Sequence, residues 1–290
     1  MSLRDVVAAR IPLDARHRVA QWRVEARVPT ARWRPTPDLL IIGAQRSGTS
    51  TLYRHLGRHP DVAEPLRKEV EYFSRRYGRG EAWYRAHFAL SSRRRAGRQR
   101  MAFEATPDYL FHPLAAERAA DVVPDARLVV MLRDPVARAW SHYHHMVALG
   151  HEPLGFDAAL DAEVERCAPD RTRLRDDPLH DPVALLRYSY QARGQYAGQL
   201  AAWIDRFGRD RLLVVRSEDF FVDPATTFRR ITDHVGLRPW APQTFVNVSR
   251  ATRPGPGPVP APSRDRLAPT YESSAAALGD LLGDDAPRWG

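Results

Sequence analysis

The chain has 290 residues, 43% hydrophobic and 27% charged, so it can bury a substantial core as one large domain or a domain with appendages. Its formal charge of +9 is an arginine excess, since Lys68 is the only lysine among 44 basic residues, and it reads as a solvated surface with no nucleic-acid partner. Cys167 is the single cysteine, which excludes an intrachain disulfide and a cysteine-based zinc site.

Residues 1–13 lack an apolar stretch of signal-peptide length, and no apolar run approaches the roughly 18–20 residues that cross a bilayer. A protein without a transmembrane segment, soluble and cytoplasmic, is expected. Residues 1–37 form an Arg/Pro-rich extension, and the main domain runs over 38–290. Residues 39–42 are a short unbroken apolar run, as in a strand buried on both faces of a parallel sheet. A glycine-containing turn follows, and then Leu52 and Leu56 stand four apart at helical spacing. Further strands are expected over 101–104, 127–132 and 211–215. Helices are expected over 136–149, with Pro135 in its first turn, over 190–207 and over 224–235. Residues 250–262 are a Pro/Gly-rich loop, and 263–283 read as a C-terminal helix. The alternation of strand and helix predicts an α/β fold: a single domain with a P-loop-like, doubly wound parallel sheet flanked by helices.

Gly43-Ala-Gln-Arg-Ser-Gly48-Thr49-Ser50 follows a strand and opens a helix. In that context backbone N–H groups at the helix N-terminus point at an anion. The two glycines have the spacing of a nucleotide-triphosphate loop, but Thr49 stands where that loop places lysine. Triphosphate hydrolysis is therefore disfavoured, and Arg46 supplies the cation. The strand over 127–132 ends in Arg133-Asp134-Pro135, with Ser141 in the helix that follows. Arg133 and Ser141 are candidates for a second phosphate at the neighbouring strand end. Two such sites suit a nucleotide phosphorylated at both its 5′ and 3′ positions.

These segments resemble the sulfotransferases, and the heparan sulfate sulfotransferases and their bacterial counterparts in particular. Leu40-Ile-Ile-Gly-Ala-Gln-Arg-Ser-Gly-Thr-Ser looks like the family's 5′-phosphosulfate loop, and Arg133-Asp-Pro-Val-Ala-Arg-Ala-Trp-Ser141-His-Tyr143 like its 3′-phosphate motif. Further matches are His59-Pro60, Lys68-Glu69-Val70-Glu71-Tyr72-Phe73, Glu104-Ala-Thr-Pro-Asp-Tyr109 and Arg193-Gly-Gln-Tyr196, all within 38–236. The resemblance implies 3′-phosphoadenosine 5′-phosphosulfate (PAPS) as donor, its bisphosphate (PAP) as product, and no catalytic metal. It implies that Arg46, Ser47, Gly48, Thr49 and Ser50 hold the 5′ end, and Arg133 and Ser141 the 3′-phosphate. Arg46 stands where the family usually has lysine, stabilising the leaving oxygen with a forked donor instead of a point charge. Glu69 aligns with the family's glutamate and is the candidate general base.

Two departures set the chain apart from the heparan enzymes. Ala105 stands where they often have lysine. The basic, glycine-containing motif that closes their nucleotide site is not found, although Arg250, Arg253 and Arg264 lie nearby. Glu71 is a lesser candidate for orienting the acceptor. His142, His144 and His145 read as packing or exposed side chains, not metal ligands, and Arg75, Arg76, Arg79 and residues 93–95 as a solvated charge run. The expected reaction is sulfuryl transfer to a hydroxyl of a carbohydrate, glycolipid or small metabolite. The alternatives are a P-loop kinase or nucleotide hydrolase, and a non-catalytic scaffold that binds nucleotide or glycan.

Overall fold

A computed structural model describes residues 13–90, 94–95, 98–248 and 256–289. Arg93, Arg250, Arg253 and the first part of the Pro/Gly-rich segment, 250–255, lie outside the described residues. Strands are β1 (Leu39–Gly43), β2 (Val62–Ala63), β3 (Arg94–Arg95), β4 (Arg98–Gln99), β5 (Met101–Ala105), β6 (Arg127–Leu132) and β7 (Leu212–Arg216). Helices are α1 (Leu13–Glu25), α2 (Thr49–Gly57), α3 (Glu81–Arg85), α4 (Ala115–Val122), α5 (Pro135–Ala148), α6 (Phe156–Asp161) and α7 (Glu163–Asp176). They continue with α8 (Val183–Tyr188), α9 (Tyr196–Phe207), α10 (Ser217–Val222), α11 (Pro224–His234), α12 (Ala261–Leu267) and α13 (Glu272–Leu282).

Among the described residues, five strands form one sheet in the order β2-β5-β1-β6-β7, and every pairing is parallel. Side chains alternate across each strand, so a strand buried on both faces contributes to two cores. Leu40 and Ile42 join Leu128, Val130 and Val214 in a core covered by α4, α9 and α13. Leu39 and Ile41 face the other way and join Phe103, Val129 and Met131 beneath α2 and α11. This is the doubly wound arrangement expected from the alternation of elements. From the central β1 the chain builds β2 and β5 on one side, then β6 and β7 on the other. In such sheets, ligands bind outside the carboxyl ends of the strands where the order reverses.

The structure adds to the sequence reading at three places. The two-residue β2 is too short to show a hydrophobic pattern. The C-terminal segment is two helices joined by a tight turn at Ala268–Tyr271, where Pro269 has no N–H to continue the ladder. In the N-terminal extension, α1 and the turn Val28–Trp33 pack on the domain through buried Val24 and Ala31.

Candidate functional site

The loop from Gly43 to Ser50 joins β1 to α2, and sterics dictate both glycines. A Cβ on Gly43 would lie 2.7 Å from the Leu110 Cβ. Gly48, the N-cap of α2, has φ 92°, and a Cβ there would meet the Phe221 ring at 2.9 Å. Between them Arg46 has φ 69°, a conformation that costs a residue with a Cβ on the order of 1–3 kcal/mol. The surroundings fix it. The Ala44 N–H donates to the Met131 carbonyl of β6 at 2.7 Å, and the Ser217 hydroxyl after β7 donates to the Ser47 carbonyl at 2.9 Å. Ser47 Oγ and Gln45 Oε1 are buried and have no hydrogen-bond partner among the described residues. Leaving such groups unmet costs about 1–3 kcal/mol each, so this loop is chemically matched to a polar ligand.

The two candidate anion sites meet. Arg46 Nε donates to Ser141 Oγ at 3.1 Å, and Arg133 Nη1 donates to the Arg46 carbonyl at 3.2 Å. Burial pushes the Arg133 guanidinium down, while Glu218, Tyr196 and Asp134 favour its charge. A frame around it sets its backbone. The Tyr196 hydroxyl donates to the Arg133 carbonyl at 2.8 Å, and the Asp134 N–H donates to Glu218 Oε1 at 3.0 Å. Trp289 Nε1 in turn donates to Glu218 Oε2 at 3.1 Å. Asp134 Oδ1 accepts the Ala137 N–H at 2.6 Å as the cap of α5, and Arg264 lies 3.8 Å from its other oxygen. Asp134 is thus committed to a cap and not presented as a Mg²⁺ ligand, which counts against the kinase or hydrolase alternative.

Glu69 sits at the end of β5, the other neighbour of β1, where its N–H donates to the Ala105 carbonyl at 3.1 Å. Its side chain is 45% exposed and its Oε1 pairs with Lys68. Glu69 and Glu71 have φ 59° and 61°, left-handed for non-glycine residues. The Glu71 carboxylate is engaged by Arg76 at 3.1 Å and by Arg67 and Arg75 at 3.6 Å. Arg75 also makes a bidentate pair with Asp181, both contacts 2.7 Å, and Arg79 pairs with Glu25. These arginines are therefore partnered.

The histidines separate by environment. His142 is fully buried against Tyr190, and burial beside Arg138 and Arg193 holds its pKa well below the usual histidine range. His144 packs edge-on against Trp140 at 4.2 Å. Among the described residues, no group of three or more His, Cys, Asp or Glu side chains is placed to hold a metal ion. No helix there is long and apolar enough to cross a membrane.

One part of the site escaped the sequence reading. Residues 245–248 fold against α2, with the Val248 N–H donating to Thr51 Oγ1 at 3.2 Å and His55 Nε2 3.2 Å from the Val246 carbonyl. They complete a shallow recess of about 80 Å³ with Thr51, His55, Phe220 and Phe221, the last of which packs on Gly48 of the loop. Its aromatic lining offers a flat group a stacking surface. The aromatic doublet Phe220-Phe221, a few residues after a strand, was the available signal.

Residues 36–250 match the sulfotransferase domain family. The chain belongs to the sulfotransferase family. This sulfotransferase is 32% identical over 202 residues to heparan sulfate glucosamine 3-O-sulfotransferase 3B1 of Mus musculus, covering 70% of this chain and 46% of that protein. It is 27% identical over 221 residues to bifunctional heparan sulfate N-deacetylase/N-sulfotransferase 1 of Caenorhabditis elegans, covering 73% of this chain and 24% of the relative. The sulfotransferase thus spans a quarter to a half of the length of these curated relatives. A crystal structure of a sulfotransferase from Alicyclobacillus acidocaldarius superposes with a TM-score of 0.66 at 29% identity, covering 85% of this chain and 96% of that one.

Proposed function

We propose that this protein transfers a sulfuryl group from PAPS to a hydroxyl of a carbohydrate, glycolipid or small metabolite. The observation that carries the reading is the hydrogen-bonded junction of Arg46, Ser141 and Arg133, which joins two anion-binding elements at adjacent strand ends. In this reading Arg46 and the loop residues Ser47, Gly48, Thr49 and Ser50 hold the 5′ end, and Arg133 and Ser141 hold the 3′-phosphate. The unmet Ser47 hydroxyl and Gln45 carbonyl fit such a polar ligand. The aromatic recess beside α2 takes the base.

Transfer then needs in-line placement and donors for charge that builds on the leaving oxygen. The acceptor hydroxyl oxygen bonds to sulfur as the bond from sulfur to the 5′-phosphate oxygen breaks. The hydroxyl proton passes to Glu69, whose Oε1 is held by Lys68, leaving Oε2 to receive it. Arg46 and the first N–H groups of α2 stabilise the departing phosphate oxygen. The acceptor is of the hydroxyl class, in keeping with the O-sulfotransferase relatives and with a carboxylate in the role of base.

Calorimetry with 3′,5′-adenosine bisphosphate in the absence of Mg²⁺ tests donor recognition, and mass spectrometry on donor-saturated acceptor screens tests transfer. Tight metal-independent binding is expected, with Glu69→Gln abolishing turnover while leaving bisphosphate affinity nearly unchanged. Binding of ATP only with Mg²⁺, and none of the bisphosphate, would overturn the reading.

A further inference from the structure

Glu104 is fully buried in β5, where an ionised carboxylate is costly unless donors surround it. Three hydroxyls converge on it: those of Tyr84 and Tyr109 donate at 2.7 Å each and that of Thr106 at 2.6 Å, and the nearby Val70 N–H also favours its charged form. The Thr106 oxygen in turn accepts the Glu71 N–H at 3.2 Å, and the Ala105 carbonyl accepts that of Glu69. The N–H groups of Glu69 and Glu71 are therefore bound by Ala105 and Thr106, on either side of Val70. Val70 is anchored in the core between them, and Glu69 and Glu71 are held left-handed on either side. The 69–71 loop is thus laced to the end of β5, with the buried Glu104 carboxylate holding the Thr106 hydroxyl that receives it.

We propose that Glu104, acting through Thr106, is the positioning residue that sets the Glu69 carboxylate for proton abstraction. This rests on Glu69 as general base. Neither Glu104 nor Thr106 touches substrate. Their effect is on the backbone from which Glu69 projects. A left-handed glutamate does not hold itself, and without these hydrogen bonds the loop relaxes to right-handed or extended conformations that carry its side chain elsewhere. Donor binding is assigned to other elements, the β1–α2 loop and the end of β6, so the effect belongs to turnover and not to nucleotide affinity.

Thr106→Val removes the hydroxyl at nearly constant volume, Thr106→Ser keeps it, and Glu104→Gln keeps the core filled. Each is to be compared with Glu69→Gln for kcat, acceptor KM, bisphosphate affinity and thermal unfolding. Thr106→Val is expected to lower kcat roughly a hundredfold, the scale of a 1 Å misplacement, with bisphosphate affinity and acceptor KM nearly unchanged. Thr106→Ser restores turnover. Glu104→Gln follows Thr106→Val, and where it fails to fold, the threonine pair carries the test. Wild-type turnover in Thr106→Val alongside an inactive Glu69→Gln overturns the positioning role and leaves the base intact. An active Glu69→Gln removes the base assignment and this proposal with it.

Discussion

Acidification from pH 7 to 5 should unfold this protein through histidines remote from the chemistry, and His112 isolates the effect. His112 is 2% exposed, and burial near Arg118 and Arg193 pushes its pKa down from 6.5 to about 3. The folded state keeps the ring neutral while the unfolded chain takes up a proton below pH 6.5. The depressed group therefore contributes stability that is full above pH 6.5 and lost as pH falls towards 3. Between pH 7 and 5 the loss from one such site is about 2 kcal/mol, from roughly 1.4 kcal/mol per pH unit below the unfolded pKa. His87, fully buried and pushed to about 4, adds a similar amount, giving about 4 kcal/mol from the pair. Glu104 and Glu163, raised by burial, act in the opposite direction, so the contribution must be read by difference. His112→Asn supplies an oxygen near the position where Nδ1 accepts the Leu114 N–H at 3.3 Å, and it does not titrate. Urea unfolding of both proteins at pH 7 and 5 should show the wild type losing about 2 kcal/mol more than the variant. Equal losses would refute the argument.

Trp289→Phe keeps the aromatic packing against Tyr196 and removes the donor to Glu218. Because Glu218 holds the backbone that follows Arg133, bisphosphate affinity should fall roughly three- to tenfold, about half of the 1.5–3 kcal/mol of a hydrogen bond to a charged group, since the effect on the ligand is indirect. Isothermal calorimetry measures it, and unchanged affinity would detach the C-terminal tryptophan from the site. Gly48→Ala combines a left-handed φ of 92° with a 2.9 Å approach to the Phe221 ring. It should lose about 1–2 kcal/mol of stability from conformation alone, and bisphosphate binding with it, as read by denaturation and titration.

The sheet was legible because the strands at its centre are unbroken apolar runs. Residues buried on both faces need no alternating pattern, and 39–42 and 127–132 announce themselves in this way. Gly43, Gly48, Arg46 and the Arg133-Asp134-Pro135 turn were equally visible, because local spacing carries their meaning. What could not be read is what depends on distant partners. Nothing near Glu104 in the sequence says that Tyr84 closes over it, and nothing in Glu69 or Glu71 marks a left-handed backbone, since that signal is usually a glycine. The recess beside the loop joins α2 to a segment more than 190 residues away. The break at Pro269 was available from proline chemistry, but the helical spacing around it suggested continuity.

The phosphate loop is bound to strands on both sides of β1 and to the turn after β7, through Ala44, Ser47, Arg46 and the Leu110 N–H that reaches back to Ile42. A segment so tied cannot open by itself; exchange of the Ala44 amide, bound to the Met131 carbonyl, requires the sheet centre to come apart, so its protection should approach that of the global unfolding reaction. Nucleotide capture then meets a preformed surface and should be limited by encounter rather than by rearrangement. Whatever adapts during the reaction cycle must lie on the acceptor side. Sluggish exchange at Ala44, unchanged by bisphosphate, would be the solution signature of that preformed surface.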